Sequence, residues 1–124
     1  MDKNRITLFL QFCVALLAVA CLVPPRTAGA QDPPRVVEIS AKRFGFTPNQ
    51  VTLKNGETVT LRLTSEDVTH GFFARPLKID QEIEPGRTTE LTVTPQAAGV
   101  YTVICHHFCG VNHGNMRMVI TVTE

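Results

Sequence analysis

The chain has 124 residues, with 12 basic and 11 acidic side chains and a formal charge of +1. Such a balance gives no strong pull toward nucleic acid or anionic membrane surfaces. The length suits one domain with a modest core, and neither a repeat nor a low-complexity tract breaks the sequence.

The first 30 residues differ from the rest. "MDKNR" carries two positive charges, and an eighteen-residue apolar run, "ITLFLQFCVALLAVACLV", follows, broken only by Thr7 and Gln11. Small residues at Ala28 and Ala30 precede Gln31. This order is that of a secretory signal peptide, expected over 1–30 and cleaved after Ala30. The alternative is an uncleaved anchor, because eighteen apolar residues can just span a bilayer. Cleavage removes Cys13 and Cys21 and leaves Cys105 and Cys109 in an exported domain over 31–124 with nine basic and ten acidic residues. The expected compartment is the periplasm or its extracytoplasmic equivalent. Two nearby cysteines in an oxidising compartment call for a disulfide or a metal.

Beyond the Pro-rich joint "QDPP", short strands alternate with turns. "RVVEIS" is β-branched, and "FGFTPNQ" reads as a turn-rich connection whose Phe44 and Phe46 belong to the core. "VTLKNGETVTLRLT" reads as strand, Asn-Gly turn, strand, with Val59, Leu61 and Leu63 alternating against Thr60, Arg62 and Thr64. "SEDVTHGFFARP" begins polar and becomes apolar. In "KIDQEIEPGRTTELTVTP" a Pro-Gly turn precedes Leu91 and Val93, which alternate with threonines. "AAGVYTVIC" and "MRMVITVTE" are strands leading into and out of the last loop. About seven strands and no convincing helix after the leader predict an all-β sandwich.

That last loop, twelve residues from Cys105 to Met116, has the pattern C-x3-C-x3-H-x2-M. Cys105, Cys109, His113 and Met116 stand at i, i+4, i+8 and i+11, one face of a helix. Gly110 and Gly114 interrupt that face, and β-branched strands flank it, so a compact loop containing one turn is expected. Thiolate and thioether are soft donors and imidazole is borderline, a set that suits copper better than calcium or magnesium. His70, where the polar loop of "DVTHGFF" turns apolar, falls at one end of a sandwich and can meet this loop. Other readings stay open on the residues alone: a Cys105–Cys109 disulfide, zinc with Met116 idle, or mononuclear copper with one cysteine spare. A thioredoxin-like copper chaperone fits less well, because His70 precedes the cysteines and helices are lacking.

From "DVTHGFF" through "EPGRTTELTVTPQAAGVYTVICHHFCGVNHGNMRMVITVTE", roughly 36–124, the chain resembles the CuA domain of cytochrome c oxidase subunit II. Its hallmark, a histidine after an aspartate-led turn and then C-x3-C-G-x2-H-x2-M, is met at His70, Cys105, Cys109, Gly110, His113 and Met116. The resemblance implies a cupredoxin-like Greek-key β-sandwich holding two copper ions. It implies that Cys105 and Cys109 bridge both coppers, that His70 and His113 cap one each, and that Met116 is a weak axial ligand. The opposite axial ligand would be the backbone carbonyl of His107, which stands where the family has glutamate or glutamine; the imidazoles of His106 and His107 are expected to face solvent. Phe72, Phe73 and Phe108 are expected to pack in the core or on the rim. The implied function is one-electron transfer to a redox partner, a c-type cytochrome or an oxidase, without catalysis by this chain. The membrane would be involved only through a retained leader. Subunit II normally carries one or two membrane helices, of which this chain has at most one, expected to be cleaved, and an aromatic electron entry, for which this tryptophan-free chain offers no counterpart. A free-standing carrier is therefore favoured over an oxidase subunit or a copper storage or delivery protein.

Overall fold

The computed structural model describes residues 33–124, so the expected leader lies outside the described residues. Nine strands form, more than the seven or so expected: β1 (Arg35–Lys42), β2 (Gly45–Thr47), β3 (Gln50–Lys54), β4 (Val59–Ser65), β5 (His70–Ala74), β6 (Ile79–Ile83), β7 (Thr88–Val93), β8 (Gly99–Ile104) and β9 (Arg117–Thr123). The short β2 lies inside the segment expected as a turn-rich connection. Two 3-10 turns, Arg75–Leu77 and His113–Asn115, complete the described elements.

The strands make two sheets, ordered β2-β1-β4-β7 and β3-β9-β8-β5-β6. Alternation drives the packing, because every second side chain of a strand points to the same face. Val59, Leu61 and Leu63 of β4 face Met118, Ile120 and Val122 of β9 and Val51 and Leu53 of β3 across one core, all buried. Phe72 of β5 and Phe46 of β2 meet edge to face at 5.4 Å in that core, while Phe44 packs partly buried against it. On the outer face, register sets Glu38, Arg62 and Glu90 in a row. Arg62 donates to both carboxylates at 2.8 Å. This row is exposed and serves register more than stability.

The Asn55-Gly56 turn links β3 and β4 without pairing them. β3 runs parallel to β9, and β4 lies between β1 and β7 in the other sheet. The turn itself is closed, by the Glu57 amide on the Lys54 carbonyl at 3.1 Å, while the Asn55 and Gly56 amides tie it to the carbonyls of Thr123 and Pro95, and the strands beyond it part into different sheets. β6 and β7, around Pro85-Gly86, are likewise split between the sheets. The β8–β9 hairpin thus sits in the middle of the larger sheet, beside β5. His70 opens β5 at the same end of the sandwich where the 105–116 loop joins β8 to β9.

Candidate metal centre

The expected helix-free loop is present. Cys105 follows β8 directly, its amide donating to the Met116 carbonyl at 3.0 Å, so both ends of the loop are stitched together. The single turn at His113–Asn115 is closed by the Met116 amide on the His113 carbonyl at 3.1 Å. Gly110 takes φ +144° beside the Phe44 ring, which a Cβ there would approach to 2.9 Å. Glycine is required on both counts.

Inside this frame the Cys105 and Cys109 sulfurs lie 3.7 Å apart, as free thiols. Cys109 Sγ is 3.8 Å from Met116 Sδ and 3.9 Å from His113 Nδ1. Donor atoms of His70, Cys105 and Cys109 all fall within 4.8 Å of one another, and all three residues are buried. The Cys105 thiol donates to the His107 carbonyl at 3.2 Å, so that carbonyl faces the cluster. The His107 ring points away from it, to Glu82 at 3.3 Å. His106 likewise meets Asp80 at 2.9 Å and stacks on Phe73. Both imidazoles thus lie on the outside, paired with carboxylates of β6.

His70 is the residue of the cluster whose setting best suits an ion. Its side chain is 0% exposed, and its Nδ1 is a buried polar atom without a hydrogen-bond partner among the described residues. Its other nitrogen, Nε2, lies 2.7 Å from Asp67 Oδ1. Burial works against ionisation of Asp67, but hydrogen bonds from the Arg43 amide, the His70 ring and the Val68 amide prevail and hold its carboxyl at about 2. An ionised carboxylate only accepts, so Nε2 carries the proton and Nδ1 keeps its lone pair for the cluster. Leaving a buried nitrogen unpaired is costly unless a ligand meets it. Burial, and then the neighbouring Cys105 thiol, push the Cys109 thiol up to about 11. Without a cation the Cys109 thiol therefore stays protonated, and a bound cation would displace that proton.

The supporting roles of three residues escaped the sequence reading. Asp67 stands three positions before His70 in "DVTH", and that spacing was its one local signal. Gly71 donates its amide to Cys105 Sγ at 3.3 Å, and its missing Cβ leaves room for the ligand loop. Arg43 reaches the Cys109 carbonyl from the other sheet. Asn at position 67 would keep the shape but put an amide or a neutral oxygen against the Arg43 donor and the His70 ring. Asp67→Asn should weaken copper binding about 10–100-fold, the usual range for a lost orienting carboxylate. Competition against a chromophoric copper chelator measures it, and parental affinity would deny Asp67 this role.

A two-sheet sandwich with a histidine at one strand start and a Cys-His-Met loop between two later strands defines a cupredoxin. The profile of the cupredoxin-like domain family matches residues 12–122, and the chain belongs to that family. Within it, the chain belongs with cytochrome c oxidase subunit 2. It is 34% identical over 102 residues to one such protein of Thermus thermophilus, covering 81% of this chain and 76% of that one. It spans 61% of a second Thermus thermophilus subunit 2. Among solved structures, the periplasmic domain of oxidase subunit II of Bradyrhizobium japonicum superposes with a TM-score of 0.68 at 18% identity, over 75% of this chain and 86% of that domain. Auracyanin A, a blue copper protein of Chloroflexus aurantiacus, does so at 0.60 and 20% identity, over 73% of this chain and all of its own.

Proposed function

We propose that this chain is an extracytoplasmic electron carrier that holds two copper ions between His70, Cys105, Cys109, His113, Met116 and the His107 carbonyl. The observation that carries the reading is the unpartnered, buried Nδ1 of His70 beside two free thiols 3.7 Å apart. The donor set fits copper: two thiolates, two imidazoles and a thioether are soft to borderline. Zinc with two cysteines and two histidines would leave Met116 without a purpose, although it is packed 3.8 Å from Cys109. Copper, when bound, supplies a one-electron couple. The protein holds the donors in place from strand ends, orients His70 through Asp67 and keeps water from both sulfurs by burial. Protein donors fill the ligand positions, so no place is kept for a substrate and no catalysis by this chain alone is proposed.

The half-buried His113, beside Phe108, gives the centre its way out. Phe108 is 74% exposed and Val111 100%. An apolar rim of this kind suits brief complexes with a c-type cytochrome or an oxidase. The similarity to oxidase subunit 2 over three quarters of its length favours one further reading, a subunit of a membrane oxidase held by a retained leader. Fractionating cells that express the full chain separates a carrier free in the periplasm from a membrane-held subunit.

Copper loading of the purified reduced protein, followed by metal counting and electron paramagnetic resonance, tests the centre. The expected result is two coppers per chain with hyperfine structure from two equivalent nuclei. One copper with the pattern of a single nucleus would replace the reading by a mononuclear site. His107→Gln should leave that spectrum nearly unchanged, because the carbonyl remains and only an exposed contact to Glu82 is lost. Loss of metal from this variant would show that the ring itself binds.

A further inference from the structure

The ligands come from two loops that the sheet joins weakly. His70 and Asp67 belong to the β4–β5 connection and the start of β5; Cys105 to Met116 belong to the β8–β9 loop. β5 and β8 are neighbours, but their register holds a single pair, Phe73 with Ile104. Besides the Gly71 amide on Cys105 Sγ, something else must keep the two halves at fixed distance.

Arg43 meets this need from outside the ligand-bearing sheet. It lies between β1 and β2, and neither strand offers a donor to the cluster. Its amide donates to Asp67 Oδ2 at 2.9 Å, on the carboxylate that orients His70. Its Nε donates to the Cys109 carbonyl at 2.6 Å. The next residue, Phe44, abuts Gly110. One residue therefore touches the histidine half through its backbone and the cysteine half through its side chain. Among the described residues no carboxylate pairs with the Arg43 guanidinium, so its charge is not spent elsewhere.

We infer that Arg43 is a positioning residue of the metal centre, a brace from the opposite sheet that fixes the Cys109 backbone relative to the Asp67–His70 pair and sets a positive charge beside the centre. A planar guanidinium suits this task, because Nε is held in the plane of a fork while the charge spreads over the outer nitrogens. That charge favours the state of the centre holding the extra electron. The electrochemical part rests on the copper reading; the brace itself does not.

The test uses Arg43→Gln and Arg43→Lys in the full chain. In metal-free protein, Arg43→Gln should speed amide hydrogen exchange in 105–116 about tenfold, while strand amides and those of 67–71 keep parental rates. In copper-loaded protein its reduction potential should fall, and Arg43→Lys, which keeps the charge, should recover most of that fall. Parental exchange in 105–116, a rise spread over all strands, or an unchanged potential in loaded Arg43→Gln would each overturn the inference. Should the parent itself take up no copper, the function proposed above fails, and the exchange data still decide the brace.

Discussion

Gly71→Ala is expected to cost the metal-free protein about 3 kcal/mol and to abolish full copper loading. A Cβ built at this position would stand 2.6 Å from the amide nitrogens of both His106 and His107 and collide with the His106 ring. Two of these obstacles are backbone, so no side-chain rotation relieves them. Either β5 or the ligand loop must retreat, and overpacking of this kind costs about 1–3 kcal/mol even where the surroundings can adjust. The retreat also breaks the Gly71 amide contact to Cys105 Sγ and carries His70, the preceding residue, away from the thiols. Thermal unfolding of the metal-free protein and copper counting on the loaded protein check the two effects separately. A variant with parental stability and two coppers would show that the loop does not press on Gly71 as described.

Cys109→Ser should leave at most one copper per chain. Cys109 Sγ is the hub of the cluster, within 3.9 Å of the Cys105 sulfur, the Met116 sulfur and His113 Nδ1. A serine hydroxyl is too weak an acid to ionise and bridge two cations, and the shorter, harder oxygen cannot replace a shared thiolate. Because the site is buried, the hydroxyl must also find a partner or cost about 1–3 kcal/mol in the metal-free protein. Under the proposed two-copper reading Cys105→Ser should give the same loss of stoichiometry, since both sulfurs would be shared between the ions. Metal analysis and electron paramagnetic resonance on both variants decide the matter: two coppers surviving in either one would remove that cysteine from the bridge.

Much of the donor set was legible because its members are close in sequence. Cys105, Cys109, His113 and Met116 share one loop, and the two glycines within it argued against a helix. His70 was found by the change from polar to apolar character at "DVTHGFF". The residues that aim these donors were not legible. Arg43 meets Asp67 and Cys109 across 24 and 66 positions of chain, and no local pattern marks an exposed arginine as reaching the ligand loop. The partition of strands between sheets was hidden for a similar reason. An Asn-Gly turn usually closes a hairpin, and here the turn does close, with the Glu57 amide on the Lys54 carbonyl, yet the strands on either side of it enter different sheets. The rings of His106 and His107 were expected to face solvent; their carboxylate partners on β6 could be seen only once β5 and β6 were paired.

The single β5–β8 register pair has a consequence for the order in which the chain folds. β8, its loop and β9 form a local hairpin, and local contacts close early, whereas pairings such as Gln50 with Val119 must wait for distant segments to meet. Four of the five donor side chains therefore come together with the hairpin. His70 reaches them only when β5 docks. Until then two thiols stand side by side without their histidine, and in an oxidising compartment they would be open to disulfide formation. A chain that docks β5 quickly buries both cysteines early, and that burial is their protection.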